Sequence, residues 1–336
     1  MKKMIAFIVA LVAVVAVGIG FTMNNNKKDA TPKKKDIPTV GILQLMSHPA
    51  LDAIHKGINA GLKENGYTVG KNVKIDFQNA QNDQSNLKSM SEKFVNENVD
   101  AAVGIATPSA QALANATTKI PIVMGAITDP VSAKLVKSNE KPGGNITGVS
   151  DQAPIEAQLK LIRQIMPKAK TLGVIYTSSD ASSQAQVKIL SGLVAKYNFT
   201  LKKYSISSTN DLNQVAGQMA TAVDAVFVPT DNTIAGAMQT LVKATNSKKI
   251  PVFPTVDTMV KDGGMATVGL NQYKLGVETG KMVAKILDGK SKPATTPVKF
   301  MTEGDLVINE KVAGELGIKI PASLTKKAEK SGEVFK

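Results

Sequence analysis

The chain has 336 residues, of which 43% are hydrophobic and 20% charged, as is typical of globular proteins large enough for two α/β domains. It contains no cysteine, which excludes disulfides, thiolate nucleophiles, cysteine-ligated zinc, iron–sulfur clusters and a lipid-modified N-terminal cysteine. The formal net charge is +14, but Arg163 is the only arginine. Because bidentate recognition of bases and phosphates prefers arginine, this composition argues against nucleic-acid binding.

The first segment of the chain predicts export. Residues 1–3 are positively charged, and residues 4–23 are uncharged and almost wholly apolar. A helix of that length rises about 30 Å, which is enough to cross a bilayer. Residues 1–23 are therefore either a cleaved signal peptide or a retained membrane anchor, and either one places the rest of the chain outside the cytoplasm. Residues 24–36 are predicted to form a basic linker, and residues 326–336 a flexible tail.

Two halves of the chain repeat one pattern of strands and helices. Apolar strands at residues 39–43 and 171–175 each precede a polar turn and a helix, at about 50–65 and 182–197. Strands at residues 99–103 and 223–227 also correspond, and each copy continues to an Ile-Pro-(Ile/Val) segment. Strand–helix alternation of this kind predicts α/β lobes with doubly wound parallel sheets.

The repeat sets the predicted domain boundaries. Lobe 1 comprises residues 37–149 and 272–290, and lobe 2 comprises residues 150–271 and 291–325. The chain is expected to cross between the lobes near residues 143–150, 268–271 and 297–300. Since open α/β sheets bind ligands beyond the carboxyl ends of their strands, the polar turns at those ends are predicted to line a cleft between the lobes.

Residues 37–324 resemble a known family. The chain is similar to the ABC-transporter substrate-binding proteins of the tryptophan-binding type in the order of the motifs GILQ (41–44), SHPALD (47–52), ATPSA (106–110), TDPV (128–131), GGNITGVS (143–150) and PTDN (229–232). The resemblance implies a type I periplasmic-binding-protein fold, an aromatic or other apolar amino acid as ligand, and delivery to a membrane permease with a cytoplasmic ATPase. The missing lipid-attachment cysteine of Gram-positive relatives leaves the mode of membrane attachment open.

An amino-acid ligand needs donors for its carboxylate and acceptors for its ammonium. The helix that starts at residues 107–109 offers free N–H groups and hydroxyls for the carboxylate, and the turn at residues 178–183 would face it. Acidic strand-end residues would bind the ammonium, and the first turn would contact the side chain. Plain helix capping is the alternative for these residues. The predicted ligand-binding residues are Gln44, Met46, His48, Pro49, Thr107, Ser109, Thr128, Asp151, Ser178, Ser179, Asp231, Asn232 and Asp257.

Composition also bears on the ligand and on catalysis. The lack of tryptophan disfavours a sugar, and the single arginine disfavours a phosphate or dicarboxylate, and both facts give mild support to a zwitterion with an apolar side chain. With two histidines and no cysteine, no catalytic constellation is apparent, and no enzyme activity, metal or cofactor is expected. We expect a monomer at the outer face of the cell membrane. A sensor subunit with the same fold remains the alternative to a transporter subunit.

Overall fold

The computed structural model describes residues 37–301 and 304–336. The predicted signal peptide or anchor and the basic linker lie outside these residues. In the described ranges, no helix combines the length and the apolar character that a membrane crossing requires.

A six-stranded parallel sheet forms the first lobe, with the strand order β11-β5-β4-β3-β1-β2. Strands β3, β4 and β5 are buried at every position, so helices must cover both faces, and this explains their continuous apolar composition. The strands are β1 (Thr39–Gln44), β2 (Lys74–Asn79), β3 (Ala101–Ile105), β4 (Ile122–Gly125), β5 (Ile146–Ser150) and β11 (Lys299–Phe300). The helices are α1 (Pro49–Glu64), α2 (Gln84–Asn96), α3 (Thr107–Ala116) and α10 (Gln272–Leu287).

The second lobe combines a four-stranded parallel sheet, β7-β6-β8-β9, with a three-stranded sheet, β10-β12-β13, in which β10 and β12 are antiparallel. Its strands are β6 (Thr171–Thr177), β7 (Thr200–Ile206), β8 (Ala225–Val228), β9 (Val252–Pro254), β10 (Ala266–Gly269), β12 (Asp305–Asn309) and β13 (Glu333–Phe335). Its helices are α4 (Ile155–Ile165), α5 (Ala181–Leu193), α6 (Thr209–Ala220), α7 (Asn232–Gly236), α8 (Met238–Asn246), α9 (Asp257–Lys261), α11 (Glu310–Leu316) and α12 (Ala322–Ser331).

The repeat predicted from the sequence is present in the sheets. The order β2-β1-β3-β4 in the first lobe is matched by β7-β6-β8-β9 in the second. Asp100 and Asp224 occupy equivalent positions and accept hydrogen bonds of 2.8 Å from the backbone N–H groups of Thr39 and Thr171. Both carboxylates therefore fix the start of a neighbouring strand, at the edge of the sheet opposite the predicted cleft.

The structure differs from the predicted boundaries at two places. Strand β11 pairs with β5, so residues 299–300 belong to the first lobe and not to the second. Residues 326–336 do not form a flexible tail, because they continue α12 and then form β13, which pairs with β12. Ala328 is fully buried in the second lobe, and this apolar contact explains why the C-terminal segment is ordered.

Helices α1 and α10 cross at unusually short distance because glycines meet at the crossing. A Cβ atom on Gly57 would lie 2.2 Å from the carbonyl oxygen of Tyr273, and one on Gly276 would lie 2.1 Å from that of Ile54. Gly61 and Gly280 leave equally little room. This crossing fixes the first turns of both helices relative to each other, and both first turns contribute to the site described next.

Candidate functional site

A small enclosed cavity lies between the lobes, at the carboxyl ends of their strands. Its volume is about 20 Å³, which is room for about one water molecule. The first-lobe helices and strand ends contribute His48, Ala50, Leu51, Ala106, Thr107, Ala126 and Gln272, and Asp151 lies at the connection between the lobes. The second lobe contributes Ser182, Thr230, Asp231, Asn232, Ala235 and Val256. The cavity thus lies at the carboxyl ends of the strands, the predicted position of the cleft.

The structure brings together part of the predicted set. The cavity is lined by the predicted residues His48, Thr107, Asp151, Asp231 and Asn232. The other predicted residues do not line it, namely Gln44, Met46, Pro49, Ser109, Thr128, Ser178, Ser179 and Asp257. The small apolar residues of the wall and Gln272 were not among the predicted ligand-binding residues.

Several residues outside the cavity wall support it. Gln44 donates from Nε2 to the carbonyl oxygen of Met46 and to Asp52 Oδ1, which fixes the turn before α1. The hydroxyl of Thr128 donates to Asp151 Oδ1 at 2.9 Å and orients that carboxylate. Asp257 accepts the backbone N–H groups of Thr258 and Gln272, and so connects α9 of the second lobe to the start of α10.

The first lobe presents helix N-termini without side-chain caps. No side chain of the described residues caps α1 or α3, and each of these helices has a proline in its first turn. Ala106 and Ala126, at the ends of β3 and β4, have positive φ angles of 74° and 61°, a conformation that is unfavourable for alanine and typical of functional sites. Ser109 in the first turn of α3 has a buried hydroxyl without a partner in the described part of the chain. Free N–H groups and the positive end of the helix dipole make this side of the cavity suited to an anion.

The second lobe presents carboxylates instead. Asp231 caps α7 through the N–H of Ile234 and also accepts two hydrogen bonds from Thr177. Asp180 caps α5 through the N–H of Ser183 at 2.9 Å. Burial, and next the charge of Asp231, raises the pKa of Asp180 to about 7. Burial also raises the pKa of Asp151, at the connection between the lobes, to about 6. Asp151 and Asp231 line the cavity and make this side of it suited to a cation, whereas Asp180 lines a groove next to it.

The two lobes touch each other directly around the cavity. Thr107 Oγ1 lies 2.9 Å from Ser182 Oγ, and His48 Nε2 lies 3.1 Å from Asn232 Oδ1. Thr107 and Ser182 also line an open groove of about 690 Å³ on the outer side of the lobe boundary. Because the cavity is smaller than an amino acid, a ligand can enter only when the lobes separate and these contacts break.

A sequence profile of the family described as ABC transporter substrate binding protein matches residues 39–331. The chain belongs to this family. Substrate-binding proteins of ABC transporters are extracytoplasmic subunits. The chain is 41% identical to the tyrosine-binding protein of Clostridioides difficile over 316 aligned residues. The alignment covers 92% of this chain and 90% of that protein.

Solved structures share the fold of this substrate-binding protein. The ABC domain of Streptococcus pneumonia in complex with L-Trp is 46% identical, with a TM-score of 0.85, over 89% of this chain and 99% of that one. The ligand-free, open structure of a substrate-binding protein with adhesive properties from Clostridium difficile is 39% identical, with a TM-score of 0.70, over 89% of this chain and all of that one.

Proposed function

We propose that this substrate-binding protein captures an α-amino acid with an aromatic side chain and delivers it to the permease of an ABC importer. It acts at the outer face of the cell membrane, as a monomer, either secreted or held there by residues 4–23. Its role is to bind and release the ligand without chemical change.

The observation that carries the proposal is the opposite electrostatic character of the two sides of the cavity. The uncapped N-terminus of α3, together with Thr107, supplies donors for a carboxylate. Asp151 and Asp231 supply acceptors for an ammonium, and ion pairs in a closed, dry cavity are far stronger than in water. A zwitterionic amino acid presents both charges to these two sides at once.

The apolar part of the wall supports an apolar side chain. Leu51 and Val256 line the cavity from opposite lobes, and the remaining apolar wall residues are alanines, which leave space for a large ligand once the lobes separate. The relatives are consistent with a flat aromatic side chain, since one is described as tyrosine-binding and another was solved with L-Trp.

Isothermal titration calorimetry and thermal unfolding with the twenty amino acids test this proposal. Tryptophan or tyrosine at 100 times its Kd is expected to raise the free energy of unfolding by about 2.7 kcal/mol, because the ligand binds only the folded state. Asp151→Asn is expected to weaken binding at least about tenfold, because it removes a buried partner of the ammonium.

Asp100→Asn is the matched control, since Asp100 binds a strand N–H at the far edge of the same sheet. This variant is expected to change stability and to leave the affinity unchanged. The proposal is wrong if no amino acid binds, and the assignment of the ammonium site is wrong if the two variants lose affinity equally.

A further inference from the structure

His48 has one hydrogen-bonding atom that the protein leaves unused. The residue precedes α1 and is 6% exposed. Its Nε2 lies 3.1 Å from Asn232 Oδ1, whereas its Nδ1 is buried and has no partner among the residues that the structure describes. The side chain does not cap α1 either. Because His48 lines the interlobe cavity, a molecule bound there is the available partner for Nδ1.

The contact with Asn232 determines what Nδ1 can do. An amide oxygen only accepts, so Nε2 of His48 carries the proton in the orientation that the amide adopts in this structure. A neutral imidazole has one donor and one acceptor, which makes Nδ1 an acceptor. Burial lowers the pKa of His48 against the opposing effects of Asn232 and Asp52, so the ring is neutral at pH 7.

The rest of the site indicates which part of a ligand would donate to this atom. The ammonium has charged partners in Asp151 and Asp231, and a carboxylate is a stronger acceptor for a cation than a neutral imidazole. Ala50 and Leu51, which follow His48 on α1, are apolar wall residues. A polar acceptor placed next to an apolar part of the wall is a usual arrangement by which a pocket provides orientation and specificity.

We infer that His48 determines specificity by accepting, at Nδ1, a hydrogen bond from a donor on the ligand's aromatic side chain. The inference rests on the proposed function and deepens it, since it restricts the ligand to side chains with an indole N–H or a phenol O–H. Phenylalanine and aliphatic amino acids lack that donor and would leave the buried acceptor unpaired. A site built to form such a hydrogen bond binds ligands that lack the donor more weakly.

Matched ligand pairs on the unmodified protein give the first test, by calorimetry. Tyrosine is compared with phenylalanine, and tryptophan with benzothienylalanine, in which sulfur replaces the indole N–H at nearly constant shape. The donor-bearing member of each pair is expected to bind about tenfold more tightly or better. Equal affinities within both pairs would overturn the inference while leaving amino-acid binding intact.

Two variants locate the effect. His48→Phe removes the acceptor and keeps a flat ring, so the preference within each pair is expected to fall to nearly one, even if all affinities drop through the lost contact with Asn232. His55→Phe is the control, because His55 lies in α1, which begins after His48, and does not line the cavity. Its ring stacks on Phe77, with ring centroids 4.1 Å apart.

His55→Phe is expected to keep the full preference within each pair. A preference that persists unchanged in His48→Phe would assign the selection to another group and overturn the inference. If none of the four ligands binds the unmodified protein, the proposed function fails and the inference fails with it. Equal binding within both pairs, in contrast, overturns only the inference.

Discussion

At the scale of single residues, burial near the lobe boundary raises the pKa values of three carboxyl groups. Burial raises the pKa of Asp180 to about 7 and those of Asp151 and Asp257 to about 6. Asp231 and Asp151 add negative charge near Asp180, and Lys88, Glu92 and Lys134 line the adjoining groove. Without an ammonium in the cavity, the folded protein therefore retains protons that the unfolded chain releases.

Asp180→Asn tests this proton retention. Between about pH 4 and pH 7 the folded state binds more protons at this site than the unfolded state, so its contribution to the free energy of unfolding falls as pH rises. Asparagine caps helices as well as aspartate does, so the contact with Ser183 is preserved. Chemical denaturation of the unliganded protein at pH 5 and pH 8 is expected to show a loss in the unmodified protein that exceeds the loss in the variant by about 1 kcal/mol or more.

Asp151, Asp257 and His48 titrate in both proteins, so their contributions cancel in this comparison. The carboxyl groups lower stability as pH rises, and His48, whose pKa is lowered by burial, acts in the opposite direction. Identical pH dependence of the two proteins would show that Asp180 is not desolvated in solution as it is in this structure.

The same residues show why a site is harder to predict than a fold. His48, Thr107 and Asp231 were identifiable because polar residues after strands must lie at one edge of a parallel sheet. Ala106 and Ala126 were not, because a positive φ has a sequence signature only when glycine or asparagine supplies it. The unused Nδ1 of His48 depends on a contact with a residue 184 positions away, which no local pattern contains.

At the scale of elements, the crossing of α1 and α10 determines where the cavity wall stands. Gly57 and Gly276 allow the two backbones to meet, and the first turns of the helices carry Leu51 and Gln272 into the wall. An added methyl group at the crossing would contact backbone atoms, which cannot move without shifting a whole helix. We therefore expect substitutions here to affect both stability and ligand binding.

Gly276→Ala is expected to lower the free energy of unfolding by about 1–3 kcal/mol through overpacking and to weaken ligand binding. Gly217→Ala is the control, since Gly217 lies within α6 and an added Cβ would have no heavy atom within 4 Å. The control is expected to gain up to about 1 kcal/mol from helix propensity, with unchanged affinity. Denaturation and calorimetry measure both quantities, and a Gly276→Ala protein as stable as the control would refute the argument.

Most elements were predictable from local pattern, and the exceptions have a physical reason. The matching order of β2-β1-β3-β4 and β7-β6-β8-β9 follows from repeated strand–helix units, which leave few alternatives for pairing. Strands β11 and β13 are two and three residues long and pair with β5 and β12, far away in sequence. Residues 297–300 were predicted as a strand, but so short a segment does not indicate its partner, and β13 carries too little periodicity to indicate a strand at all.

At the scale of the whole molecule, closure of the lobes is the event that couples binding to delivery. The cavity is closed on the groove side by the contact between Thr107 and Ser182, one from each lobe, and both line cavity and groove. The TM-score is 0.85 with the L-Trp complex and 0.70 with the ligand-free, open relative. Because this cavity is smaller than an amino acid, a ligand can bind between the lobes only after these residues separate.

A disulfide across this contact tests the closure directly. The chain has no cysteine, so the double variant Thr107→Cys/Ser182→Cys contains only the intended pair. The side-chain oxygens lie 2.9 Å apart, so the two positions face each other across the lobe boundary, and loss of free thiol shows whether the disulfide forms. After oxidation, the protein is expected to lose binding of added tryptophan or tyrosine, because the cavity held shut by the disulfide is smaller than either amino acid. Reduction should restore binding, and oxidising conditions should leave the affinity of each single-cysteine variant unchanged. Unchanged binding in the oxidised double variant would show that the ligand enters by a route other than separation of Thr107 from Ser182.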